Sequence, residues 1–120
     1  MFIHDDFTRD EAVAACEDRG SLARADDLDT FRVLWGMLHD SRTPYDDVNR
    51  TGAWLDGKLD ANGTWQCESN KTECGPSMPW SSGQPDQLQR QKCVMLWLPR
   101  GDGVTNYFCA HRAAAICDAT

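Results

Sequence analysis

Apolar and polar positions alternate with two different periods along this chain, and the change of period divides it into a helical part and a strand part. Near the start, Thr8-Arg9-Asp10-Glu11 has the spacing of a capping box, with Thr8 at the N-cap and Glu11 three residues on. Ala12, Val13, Ala15 and Cys16 follow on one face, and Gly20 marks the stop. A short amphipathic helix carrying Cys16 is predicted, with Phe2-Ile3 before it as an edge strand. A second helix is predicted from Asp26 or Asp27, either of which can cap it. There Leu28, Phe31, Leu34, Trp35 and Leu38 recur at steps of three and four, as in a stripe facing a core.

Beyond residue 41 the helical period disappears. Residues 41–52 are polar and turn-rich and read as a surface loop. "AWLDG" at 53–57 reads as a short strand. Asn62-Gly63 is a hairpin signal, with Trp65 on the return strand. From Cys67 to Leu88 no period is visible, so this is a long irregular loop, of the kind that carries function in compact domains. A bridge between Cys67 and Cys74 would stiffen it. "CVMLWL" at 93–98 has the pattern of a buried strand, "GDG" at 101–103 is a turn, and "TNYFC" and "AAAICDA" are strands. The Ala-rich 113–115 is too short for a helix and lacks a cap. Helices segregated from an antiparallel sheet give an α+β class.

The chain's 120 residues suit one domain, and 41% hydrophobic residues supply a modest core. Nineteen acids against twelve bases give a formal charge of −7. With no basic stripe, nucleic acid and anionic membrane surfaces are poor partners. No apolar run is long enough to span a bilayer. The start "MFIHDDF" lacks the basic and apolar regions of a signal peptide, so the chain reads as a mature fragment or as one carrying an added Met1.

The six cysteines include no C-x-x-C pair, which argues against a zinc ribbon or a thioredoxin-like site. Their even number and scattered spacing predict three disulfides and an oxidising, extracellular compartment. Six cysteines allow many pairings, and spacing does not choose among them. Asn49, Asn62 and Asn70 each open an N-glycosylation sequon, which fits the same compartment and marks the middle of the chain as exposed.

Catalysis finds little support. His4, His39 and His111 are scattered, no nucleophile or metalloprotease motif is present, and paired cysteines leave no thiol nucleophile. His4-Asp5-Asp6 places an imidazole beside two carboxylates, a group able to bind zinc. The plainer reading is a polar chain end near a helix N-terminus. The loop at 76–91 offers more. Pro85 fixes its own φ and, in either isomer, sets the relation of the Gln84 and Asp86 side chains. Two oxygen-bearing side chains so held make half of a calcium site, and can also bond sugar hydroxyls. Trp80 nearby offers a face on which a sugar ring can stack.

Taken together, helix-borne Cys16, "WLDG" at 54–57, "PWSSGQPD" at 79–86, Cys93 opening "CVMLW", Cys109 and the closing "ICD" at 116–118 resemble the C-type lectin-like domain family, from Phe2 to Asp118. The resemblance implies a double-loop α+β fold with two helices, antiparallel sheets and a long ligand-bearing loop. It also implies the pairs Cys16–Cys117 and Cys93–Cys109, with Cys67–Cys74 left as a local bridge. In that family the loop tripeptide supplies calcium ligands that also hold two sugar hydroxyls, and Gln-Pro-Asp goes with galactose-type sugars. By position the ligand set becomes Gln84, Asp86, Gln91, Thr105 and Asn106, of which only Asp86 is charged. Arg90 and Lys92 add positive charge nearby. Calcium takes roughly six to eight oxygens and draws affinity from carboxylates, so weak or absent calcium binding is expected. Three readings follow: a recognition domain for glycans or a protein ligand with little calcium dependence, as a monomer or homodimer; a calcium-dependent galactose-type lectin; and a non-recognition use such as ice binding. The first is preferred, in a secreted protein or an ectodomain.

Overall fold

The computed structural model describes residues 2–41, 51–67, 72–74 and 78–118. Strand β1 (Phe2–Phe7) leads into helix α1 (Arg9–Cys16), a single 3-10 turn (Glu17–Arg19) and strand β2 (Ser21–Leu22). Helix α2 (Leu28–Ser41) follows, then strands β3 (Gly52–Leu59), β4 (Trp65–Cys67), β5 (Thr72–Glu73), β6 (Cys93–Trp97), β7 (Thr105–Tyr107) and β8 (Ala113–Asp118).

The local signals work as their chemistry requires. The Thr8 hydroxyl accepts from the Glu11 N–H at 3.4 Å, and the Glu11 carboxylate accepts from the Thr8 N–H at 2.8 Å, closing the capping box. Asp27, rather than Asp26, caps α2: its carboxylate accepts from the Thr30 N–H at 2.7 Å, while Asp26 pairs with Arg24. Phe31, Leu34 and Leu38 form the buried stripe of α2, whereas Leu28, on its first turn, is exposed. At the β3–β4 hairpin the Asp60 carboxylate accepts from the N–H groups of Asn62 and Thr64, both at 2.9 Å, and Gly63 takes the positive φ the turn needs.

The sheet is mixed. β8 pairs antiparallel with β1 and β2, but it runs parallel to β3, at Ala53↔Ala114 and Trp54↔Ala115. This departs from the wholly antiparallel sheets expected. A parallel pair needs a long crossover, and β4 to β7 with their loops supply it. β3 also pairs with β4 and β6, β6 with β7, and β4 with the short β5. β5 is too short to show a period in sequence, and it lies in the stretch read as irregular.

Alternation along the central strands sends side chains to two separate cores. Ala53, Leu55, Val94, Leu96, Ala114 and Ile116 point to the side that also holds Phe31, Leu34 and Leu38 of α2. Trp54, Cys93, Met95, Ala113, Ala115 and Cys117 point to the side that holds Ala12 and Cys16 of α1. A sheet covered on both faces gives strands that read as continuous apolar runs, which is the pattern of "CVMLW" and "AAAIC". The disulfides are Cys16–Cys117, Cys67–Cys74 and Cys93–Cys109, as the family resemblance implied.

One charged pair lies between the layers. Arg9, opening α1, approaches Asp56 of β3 at 3.9 Å, and both side chains are buried. Removing one member leaves an uncompensated buried charge, so Asp56→Ala should lose about 3–5 kcal/mol in urea denaturation. A loss below about 1 kcal/mol would show that the pair is not held in the folded protein.

Acid should act through the caps. The Thr30 N–H holds the Asp27 carboxyl below the usual Asp range, and the Thr64 N–H does the same for Asp60. A folded-state pKa below the unfolded one contributes stability that is complete above the ordinary Asp value, about 3.9, and is lost as pH falls through the lower folded value. The urea midpoint should therefore drop as pH falls below the ordinary Asp value. Asp60→Asn should make that drop shallower.

Candidate functional site

The long loop between β5 and β6 is tied down at both ends, and the ties explain where its side chains go. At its start the chain runs beside β7. The Ser81 N–H donates to the Val104 carbonyl and the Val104 N–H to the Pro79 carbonyl, both at 2.8 Å, in a parallel bridge at Trp80↔Val104. Gly103 makes this approach feasible. A Cβ there would sit 2.4 Å from the Ser81 nitrogen and 2.5 Å from the Pro79 oxygen, so no other residue fits without moving the backbone. The Asp102 carboxylate accepts from the Ser81 hydroxyl at 2.7 Å and from the Ser82 N–H at 3.1 Å. These bonds, the hydroxyl's first, hold its carboxyl below the usual range.

The second tie is a single side chain. Asn106 of β7 is buried, and its amide reaches into the loop. Nδ2 donates to the carbonyls of Asp86 and Gln91, both at 2.6 Å, and Oδ1 accepts from the Asp86 N–H at 3.2 Å. A carboxamide offers two donors and an acceptor, and here each kind is in use. A carboxylate at this place could accept but not donate. Between the ties the Gln84–Pro85 peptide is cis, and a turn follows in which the Arg90 and Gln91 N–H groups both donate to the Gln87 carbonyl.

The loop and β7 thus enclose a cavity of about 250 Å³, lined by Gln84, Asp86, Gln87, Gln91, Trp97, Arg100, Thr105, Asn106 and Tyr107. Gln84, Asp86, Gln91, Thr105 and Asn106, the residues picked out in the sequence, all meet there. Trp80 does not line it: its ring packs on Trp65, with centroids 5.1 Å apart. The aromatic wall comes from Trp97 and Tyr107 instead, half-buried with ring centroids 5.4 Å apart. Trp97 ends β6, where an aromatic follows a buried run, and Tyr107 adjoins Asn106, so both were open to inspection as strand-end aromatics. The cation that lines the cavity is Arg100; Arg90 and Lys92 are not on its wall. Tyr107 also meets His111 edge-on at 4.8 Å; burial lowers the imidazole pKa, against an opposing pull from Asp6.

These donors do not fit a calcium ion. Asp86 is the one carboxylate on the wall, the Asn106 amide is committed to loop backbone, and the Arg100 guanidinium adds like charge. At the N-terminal group the Asp5 carboxylate accepts from the Asp6 N–H at 2.8 Å, and the His4 side chain lies outside the described residues. No three His, Cys, Asp or Glu side chains among the described residues are grouped to hold a metal. Asn62 is exposed at the hairpin tip, while Asn49 and Asn70 lie outside the described residues.

The Asn106 clamp has a direct test. Asn106→Ala strips the partners from two carbonyls and one N–H, at a cost of about 1–3 kcal/mol for buried groups left unsatisfied. Amide hydrogen exchange should speed up at residues 86–91 while β3 and β8 stay protected. Unchanged exchange in the loop would show that other contacts hold it.

No protein-family model matches the sequence, and no curated protein matches it. Solved structures do match. The C-type lectin CEL-I from Cucumaria echinata superposes with a TM-score of 0.74 at 14% identity, covering 95% of this chain and 84% of that one. The cow C-type carbohydrate-recognition domain of CD23, solved in the presence of a GlcNAc2Man3 oligosaccharide, gives 0.69 at 22% identity over 95% and 82%. A calcium-independent type II antifreeze protein gives 0.74 at 18% identity over 97% and 81%. Likeness at these identities speaks for the fold, and with the disulfide pairing it makes this chain a C-type lectin-like domain in fold.

Proposed function

We propose that the chain is a single, non-catalytic, extracellular recognition domain that binds glycans or protein ligands through the long-loop face, with weak or no dependence on calcium. One observation carries this reading: Gln84, Asp86, Gln91, Thr105 and Asn106 converge on one cavity, yet the Asn106 amide is spent on the loop backbone. The loop is therefore held in place by the chain's own hydrogen bonds. A wall of amides, one carboxylate and two aromatic rings suits hydroxyl-rich ligands, since amides both donate and accept and rings pack on apolar sugar faces. The C-type lectin and the oligosaccharide-bound recognition domain among the structural neighbours favour a glycan. The calcium-independent neighbour fits the same fold working without the ion. Three disulfides and the exposed Asn62 sequon support an extracellular setting.

The competing reading, a calcium-dependent galactose-type lectin, rests on the half-buried Gln84 and the exposed Asp86 standing side by side on the cavity wall. Calorimetric titration with Ca²⁺ and Zn²⁺, followed by a glycan array with and without EDTA, separates the two. Binding that persists in EDTA, with no saturable calcium heat, is expected. Tight calcium binding together with EDTA-sensitive galactose binding would replace this reading with the competing one.

A further inference from the structure

Among the residues lining the cavity the one cationic side chain is Arg100. We propose, building on the reading of this cavity as a glycan site, that its ligand is an acidic sugar: a pyranose whose carboxylate is held by Arg100 with no metal ion between them.

Size sets the first limit. A cavity of about 250 Å³ falls below the roughly 300–1,000 Å³ of pockets for drug-sized ligands, so it holds one ring, with any further part of the ligand outside it. The walls then assign each part of that ring a partner. Among the described residues both side-chain hydrogen bonds of Arg100 run from Nη1, to the Ser81 hydroxyl and the Ser82 carbonyl, each at 3.4 Å. They hold the guanidinium at the cavity edge and leave Nη2 and Nε for a ligand. A planar fork of N–H donors matches a carboxylate in two-point geometry. The acid closest in sequence, Asp102, feels the Arg100 charge, but its oxygens accept from Ser81 and Ser82.

Elsewhere on the wall the groups ask for hydroxyl donors. Gln84 lines the cavity with a carboxamide, a group that both donates and accepts. Asp86 is exposed on the same wall and accepts only. Trp97 and Tyr107 offer ring surface to the apolar side of a pyranose. A neutral sugar would use Gln84, Asp86 and the rings but bring no carboxylate to Arg100. An acidic peptide would use Arg100 but brings few hydroxyls to Gln84. An acidic sugar serves all of them, with its carboxylate at the Arg100 end and away from Asp86. The chain's formal charge of −7 repels polyanions as a class, which selects a ligand with a single acid group rather than a densely sulfated chain.

The test uses the intact chain in EDTA and, separately, in calcium, titrated by NMR chemical shift with the methyl glycosides of galactose and of galacturonic acid, the latter with its carboxylate free, and with N-acetylneuraminate. At least one acidic sugar should bind about tenfold more tightly than the neutral one, and the preference should shrink as salt is raised. Arg100→Gln, an exposed position whose folding is checked by its unchanged urea midpoint, should bring the acidic sugars down to the neutral level. Equal binding of acidic and neutral sugars, or a preference that survives Arg100→Gln, overturns the acidic-sugar inference and leaves the glycan reading standing. Binding that requires calcium overturns the metal-free contact. No binding of any sugar, with or without calcium, removes the glycan reading and this inference with it.

Discussion

Strand β8 is the constraint from which the rest of the fold follows. Its residues Ala113 to Cys117 are all buried, and it is paired on either side, to β1 and β2 antiparallel and to β3 parallel. Being buried on both faces, it can carry no polar side chain until Asp118. It is also built of small residues where α1 packs, which lets the helix that bears Cys16 come close enough to bond Cys117. That bond joins residues 101 apart in sequence. In the chain-entropy model a loop of this length removes about 4.7 kcal/mol of disorder from the unfolded state. The first helix and last strand are thus one structural unit, and the middle of the chain is a long excursion from it.

The site inherits its geometry from this arrangement. β3 pairs with β8 on one side and with β6 on the other, and β6 carries β7 at Val94↔Asn106. Asn106 is therefore positioned by four strands in succession, back to the core and the Cys16–Cys117 bond. The Cys93–Cys109 bridge ties the start of β6 to the segment after β7, so the two strands that frame the cavity are covalently coupled. The loop at 84–91 has no sheet of its own. It borrows order from β7, through Gly103 at one end and the Asn106 amide at the other.

Much of this was legible in the sequence because it rests on short-range chemistry. The Thr8/Glu11 box, the Asn62-Gly63 turn and the α2 stripe each involve residues within a few positions of one another, and local rules read them correctly. The order of motifs led to the fold and to all three disulfides, which spacing by itself could not pair. What escaped depends on distant partners. The parallel β3–β8 register needs knowledge of the crossover. Trp80 and Trp97 look alike as sequence letters, and only the bridge at Val104 turns the first onto Trp65 while the second faces the cavity. Arg100 sits in a turn beside Gly101 and gives no local sign that it reaches the residues of the 81–82 segment.

Asn106 shows how one atom type can decide what such a loop depends on. A carboxylate placed among the Asp86 and Gln91 carbonyls would gather oxygens around an empty centre, a situation only a cation or a donor can relieve. The amide puts a donor nitrogen at that centre, so the carbonyls are satisfied from within the chain. In this loop the chain's own amide supplies the donor that those carbonyls require. Arg100 places a positive charge on the wall, attached to the β6–β7 turn and unable to exchange with solvent. A mobile divalent ion favours hydroxyl and carboxylate oxygens at many angles, whereas a guanidinium favours a planar acid in its own plane. The kind of cation on such a wall therefore bears on which ligand chemistry suits it, independently of the fold around it.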